Sequence, residues 1–105
     1  LGISPGMSSP EGTKEAYLWY PTAYKGTYTN VVIKAVRMAD GYRVEAAIPW
    51  SVLRVTPANY LRMGFVFSVS DNDREGHKEQ QTLISNVATR SLTDPTTWGN
   101  IELVP

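Results

Sequence analysis

Two groups of side chains in this sequence have the chemistry that recognition requires. The first is aromatic. Trp19, Tyr20, Tyr24 and Tyr28 cluster around Pro21 and Gly26, in a stretch whose proline, glycine and threonines mark an irregular, exposed loop. Flat rings at a surface accept the apolar C–H face of a sugar, while neighbouring amide, carboxylate and guanidinium groups bond its hydroxyls. The second group is acidic: Asp71, Asp73 and Glu75 alternate along a loop that continues into Gly76. Alternate loop carboxylates can turn onto one hard cation, which makes these three the candidate ligands of a structural Ca2+. The stretch lacks the EF-hand pattern, and a solvated loop with balanced charges is the competing reading.

Catalytic chemistry is poorly served. There is no cysteine and no Gly-x-Ser-x-Gly elbow, and the single histidine, His77, sits in the charged loop. No phosphate-binding glycine loop, dinucleotide fingerprint or zinc spacing is present. A glycosidase needs two carboxyl groups flanking one bond. Glu11, Glu15, Glu45 and Glu75 are available, but their spacing pairs no two of them. These residues describe a binding module rather than an enzyme.

The totals narrow the partners. Ten basic and ten acidic residues cancel to a net charge of zero, so the chain lacks the positive field that holds a phosphate backbone, and nucleic acid is excluded as a partner. No apolar run has the length of a membrane span. With 105 residues the chain is one domain, long enough to bury a core without metal or disulfide. It opens on Leu1 with no initiator Met or leader, and reads as a piece of a longer protein whose targeting sequence lies elsewhere.

The elements that must position these side chains are strands. Residues 1–16 have a turn-and-loop composition, and Tyr17-Leu18-Trp19-Tyr20 reads as a short strand entering the aromatic loop. Residues 31–38 are β-branched, and residues 42–48 form the return strand of a hairpin. With Asp40-Gly41 as the two loop residues, Ile33 pairs with Ile48, Ala35 with Ala46, Arg37 with Val44 and Ala39 with Tyr42, and that mostly apolar face looks into the core. Pro49 ends the strand, and residues 50–53 make one helical turn. Further strands are expected at 62–70, with Met63, Phe65, Phe67 and Val69 facing inward, around 81–85, and at 98–104 after the turn at Asp94-Pro95. Trp50 and Trp98 are expected in the core. Short strands separated by turn signals, with no sustained helical period, indicate an all-β antiparallel sandwich of jelly-roll or immunoglobulin-like type.

Three stretches together resemble family 9 carbohydrate-binding modules and their DOMON-like relatives. They are Gly41-Tyr42-Arg43-Val44-Glu45-Ala46-Ala47-Ile48-Pro49-Trp50, the strand from Met63 into Asp71, and Asp94-Pro95-Thr96-Thr97-Trp98-Gly99-Asn100-Ile101-Glu102-Leu103. The resemblance implies a β-sandwich, secretion or surface display, attachment to a glycoside hydrolase, and in some members a structural calcium. It also implies a clamp of two tryptophans on the end of a glycan. Here one of those tryptophans falls on a segment outside this chain, the second position holds Leu92, and an arginine position holds Gly2. The fold transfers; the sugar clamp does not. The resemblance also implies a sandwich lacking part of its strand set, so open sheet edges should promote self-association.

The function this supports is a non-catalytic polysaccharide-binding module of a secreted or surface protein, beside a catalytic domain in the full-length chain. One alternative is a structural sandwich that stabilises its neighbour without binding a ligand. Another is a DOMON-like electron-transfer domain in which Met7, Met38 or Met63, with His77 or Lys78, ligates haem. Met63 lies on the apolar strand face and is more simply core.

Overall fold

The computed structural model describes residues 1–6, 12–71 and 82–105. Its regular elements are short strands, all paired antiparallel, with one helical turn and two 3-10 turns. The all-β antiparallel class expected from the sequence is what the chain adopts. Two compact units divide it, Leu1–Thr56 and Pro57–Pro105.

In the first unit, β1 (Gly2–Ser4), β2 (Glu15–Leu18) and β3 (Gly26–Thr27) form a three-stranded sheet with β2 in the middle. The expectation that residues 1–16 are loop is therefore corrected at both ends, by β1 and by the start of β2. Alternation along β2 sends Ala16 and Leu18 inward, where they are 2% and 6% exposed. Ala16 joins Val31 and Val52 in a small core, with Tyr28, Ile33 and Ile48 packed against it. Val52 comes from α1 (Trp50–Leu53), which starts after Pro49 and ends at Arg54 in the left-handed conformation.

The hairpin of β4 (Val32–Met38) and β5 (Gly41–Ala47) forms with a slipped register. Ala39 and Asp40 are the loop residues, and Gly41 already pairs with Met38. Ile33 thus faces Ala46 and Ala35 faces Val44, a slip of two residues that leaves every side chain on its expected face. The observed register sets Lys34 opposite Glu45, whereas the expected one sets Val36 opposite Glu45. An opposed charge pair favours the observed register by about 0.2–1 kcal/mol. Only the base of the hairpin is covered: Ile33 is half-buried, while Tyr42 and Val44 are exposed.

In the second unit the single strand expected at 62–70 is two. β6 (Arg62–Phe65) pairs with β9 (Gly99–Glu102), and β7 (Ser68–Asp71) pairs with β8 (Thr82–Ser85). At the break, Asn86 bonds Phe67 from both sides: its side-chain Oδ1 accepts from the Phe67 N–H at 2.8 Å and its own N–H donates to the Phe67 carbonyl at 3.1 Å. Those bonds satisfy the backbone where the chain leaves one ladder and enters the next. The face expected to be core is largely open, with Phe65, Phe67 and Val69 exposed and Met63 half-buried. No helix among the described residues is long and apolar enough to cross a membrane.

Candidate functional site

The same alternation that buries Ala16 and Leu18 turns Glu15 and Tyr17 to the other side of β2, and Trp19 continues the row. The Tyr17 and Trp19 rings lie 5.2 Å apart, inclined at 57°, within the range of a favourable aromatic pair. Trp19 is half exposed. Its ring lies over Gly2 of the neighbouring strand, and a Cβ at Gly2 would overlap Trp19 Cζ3 and Cη2. The absence of a side chain at that position is thus what lets the indole lie down on the sheet. On the far side of β2, the Thr27 hydroxyl donates to Glu15 Oε1 at 3.0 Å, which holds a carboxylate in the same row as the two rings. The row Glu15, Tyr17, Trp19 is an aromatic strip with an acceptor at one end.

The loop beyond Trp19 carries the remaining sequence-predicted rings. Tyr20 is 66% exposed and precedes Pro21 through a cis peptide. Tyr24 ends the 3-10 turn Thr22–Tyr24, and the Arg54 guanidinium carbon sits 3.3 Å from its ring centroid. One face of Tyr24 is therefore occupied by a cation. Tyr28 is half-buried against the Ala16, Val31 and Val52 cluster, and its hydroxyl donates to the Tyr24 carbonyl at 2.8 Å. It ties the loop to the core, and it also lines an open cleft of about 310 Å3 with Lys14, Glu15, Thr27 and Thr29. All four predicted aromatic residues thus belong to the first unit, with Trp19 and Tyr20 the most accessible and Tyr28 packed on the side of β2 that carries Ala16.

The other candidates fare differently. Asp71 is the last residue of β7, whereas Asp73 and Glu75 lie outside the described residues. Among the described residues, no three His, Cys, Asp or Glu side chains group to hold a metal. Of the residues considered for haem, Met38 is half exposed at the end of β4 and Met63 half-buried in β6; Met7, His77 and Lys78 lie outside the described residues. Trp50, expected in the core, is 41% exposed on α1. Trp98 is half-buried with its Nε1–H donated to the Ser91 carbonyl at 2.7 Å, and Leu92, in the turn that begins at Ser91, is 68% exposed.

Sequence reasoning missed Tyr17, Glu15, Gly2 and Arg54 as parts of this surface. The alternation Glu15-x-Tyr17-x-Trp19 was a legible signal for the first two, since period-two spacing puts all three on one strand face. Nothing local to Gly2 or Arg54 reveals that the fold brings them to Trp19 and Tyr24.

The family model described as carbohydrate family 9 binding domain-like matches residues 13–105. The chain is similar to endo-1,4-beta-xylanase A of Thermotoga maritima, with 34% identity over 71 residues, covering 67% of this chain and 6% of the relative. It is likewise similar to endo-1,4-beta-xylanase A of Thermotoga neapolitana, with 32% identity over the same length and coverage. The matched part is thus a small fraction of either relative. No solved structure matches the chain.

Proposed function

This chain belongs to the carbohydrate family 9 binding domain-like family, and on that premise we propose that it is the non-catalytic polysaccharide-binding module of a secreted or surface glycan-processing protein. The observation that carries the proposal is the row Glu15, Tyr17, Trp19 on one face of β2, followed along the chain by the exposed rings of Tyr20 and Tyr24. From Glu15 to Trp19 is about 13 Å at strand rise, a span suited to a chain of sugars rather than one ring. Stacking on Trp19 and Tyr20 would supply the apolar contact. Glu15, Thr27, Thr29 and Lys14 around the cleft would supply donors and acceptors for hydroxyls. The similar proteins are xylanases by name, so xylan is the first polysaccharide to offer, and a xylanase catalytic domain is the neighbour proposed for the full-length chain.

Titration of the intrinsic tryptophan fluorescence with xylo-, cello- and manno-oligosaccharides tests this. A saturable, sugar-specific change that Trp19→Ala weakens about three- to tenfold is expected, from an aromatic contact of roughly 0.5–1.5 kcal/mol. A flat titration on a folded sample would remove the reading.

One observation favours a second reading, a structural module without ligand. Arg54 already covers one face of Tyr24, and Gly2 and Tyr17 hold Trp19 against the sheet. On that reading the rings serve packing alone, and deletion of the module would lower the melting temperature of its host while leaving its polysaccharide affinity unchanged.

A further inference from the structure

The second unit carries a polar face that neither the aromatic row nor the core explains. Register in the β6–β9 ladder sets Arg62 opposite Glu102 and Gly64 opposite Asn100, so Arg62, Asn100 and Glu102 share one side of the pair while Met63 and Ile101 share the other. Arg62 Nε donates to Glu102 Oε2 at 2.5 Å. The Arg62 side chain is nevertheless 82% exposed and that of Glu102 34%. This one bond leaves the two Nη groups of the guanidinium and one Glu102 oxygen for other partners. The Asn100 amide has no hydrogen-bond partner among the described residues. The Gly64 position on the same side is covered, with the Pro95 carbonyl oxygen 3.2 Å and Trp98 Cε3 3.6 Å from where a Gly64 Cβ would stand. Arg62, Asn100 and Glu102, together with Ile101, line an open cleft of about 330 Å3.

We infer that this β6–β9 face is a second glycan-contacting subsite, which takes vicinal hydroxyls of a neutral pyranose chain. The inference rests on the reading of the chain as a polysaccharide-binding module and adds residues that the reading does not use. The charge pattern selects the ligand class. Arg62 and Glu102 cancel, so the face has no net attraction for an anionic sugar, yet it offers donors from the guanidinium, acceptors from the carboxylate and both from the amide. A diol also donates and accepts at adjacent oxygens, and matches such a set without leaving a charge unpaired. An ion pair this exposed contributes little to stability, so redirecting its free donors and acceptor to a ligand costs the fold little.

The test uses the whole chain with xylohexaose and cellohexaose as probes. In the wild-type protein, the Asn100 side-chain amide and the Arg62 Nε–H resonances should shift saturably on titration. Arg62→Gln and Asn100→Ala should each weaken affinity about fivefold, the worth of roughly one hydrogen bond. Their melting curves should remain those of the wild type, since both side chains are exposed. Affinity unchanged in both variants, with Trp19→Ala still weakening it, would overturn this subsite and leave the aromatic surface standing. Absence of binding by the wild type to either probe would overturn both.

Discussion

Replacing Gly2 with alanine isolates what positions Trp19. The three atoms nearest to a new methyl at Gly2 all belong to the Trp19 ring, two of them overlapping it and the third, Cε3, at 3.6 Å. Either β1 moves away from β2 or the indole swings off the sheet. Moving β1 breaks the ladder that pairs Gly2 with Tyr17 and Ser4 with Glu15, whereas the ring is half exposed and free to turn outward. The ring yields. The loss is then the Tyr17–Trp19 contact, worth about 0.5–1.5 kcal/mol. Against it stands the lower unfolded-state entropy of alanine, which stabilises by about 0.4–1 kcal/mol where the backbone accepts it. The two nearly cancel, so Gly2→Ala alone should change stability little. In a Trp19→Ala background the methyl meets no ring, only the entropic gain survives, and the substitution should stabilise. The coupling between the two sites is therefore about 1 kcal/mol, equivalent to roughly 4–8 °C in melting temperature for a domain of this size. Thermal melts of the four proteins in the cycle measure it. A coupling below about 0.3 kcal/mol, the scatter of independent sites, would refute the claim that the bare glycine holds the indole down.

Three further outcomes are expected. Trp98→Phe removes the 2.7 Å bond from Nε1 to the Ser91 carbonyl and should destabilise by about 0.5–1.5 kcal/mol in urea unfolding; a midpoint equal to that of the wild type would show that the bond contributes nothing. If Asp71, Asp73 and Glu75 bind calcium, calcium at a hundredfold its dissociation constant should stabilise by about 2.7 kcal/mol over a chelator-treated sample; identical melts with and without the chelator would dismiss the ion. The β4–β5 hairpin pairs with no other strand among the described residues and exposes Val36, Met38 and Tyr42. Self-association should therefore be detectable by light scattering on a sizing column and reduced by Val36→Lys, whereas a monomer at every concentration would count against it.

What the sequence made legible and what it hid follow one physical division. Local rules served wherever a local interaction decides. Pro49 ended the strand and opened a helical turn, Asp94 led into the 3-10 turn Pro95–Thr97, where its carboxylate accepts from the Thr96 N–H at 3.0 Å, and β-branched residues placed β4. The aromatic cluster was visible as composition, and the structure holds its four members in one unit. The failures occurred where distant residues arbitrate. The hairpin loop slipped from Asp40-Gly41 to Ala39-Asp40 although the turn chemistry favoured the former, and the register that results opposes Lys34 to Glu45 across the ladder. The strand after Arg62 split at Phe67 because Asn86, nineteen positions on, supplies the bonds that continued pairing would have made. The same division governs the candidate site. Trp19 and Tyr24 announce themselves, but their usable surface depends on Gly2 and Arg54, and neither of those has a sequence neighbour that hints at its task. A binding surface of this kind is written half in side chains that can be recognised by type and half in the absence or the reach of others. In this chain the latter half, a missing Cβ under one ring and a guanidinium over another, determines which aromatic face a sugar could meet.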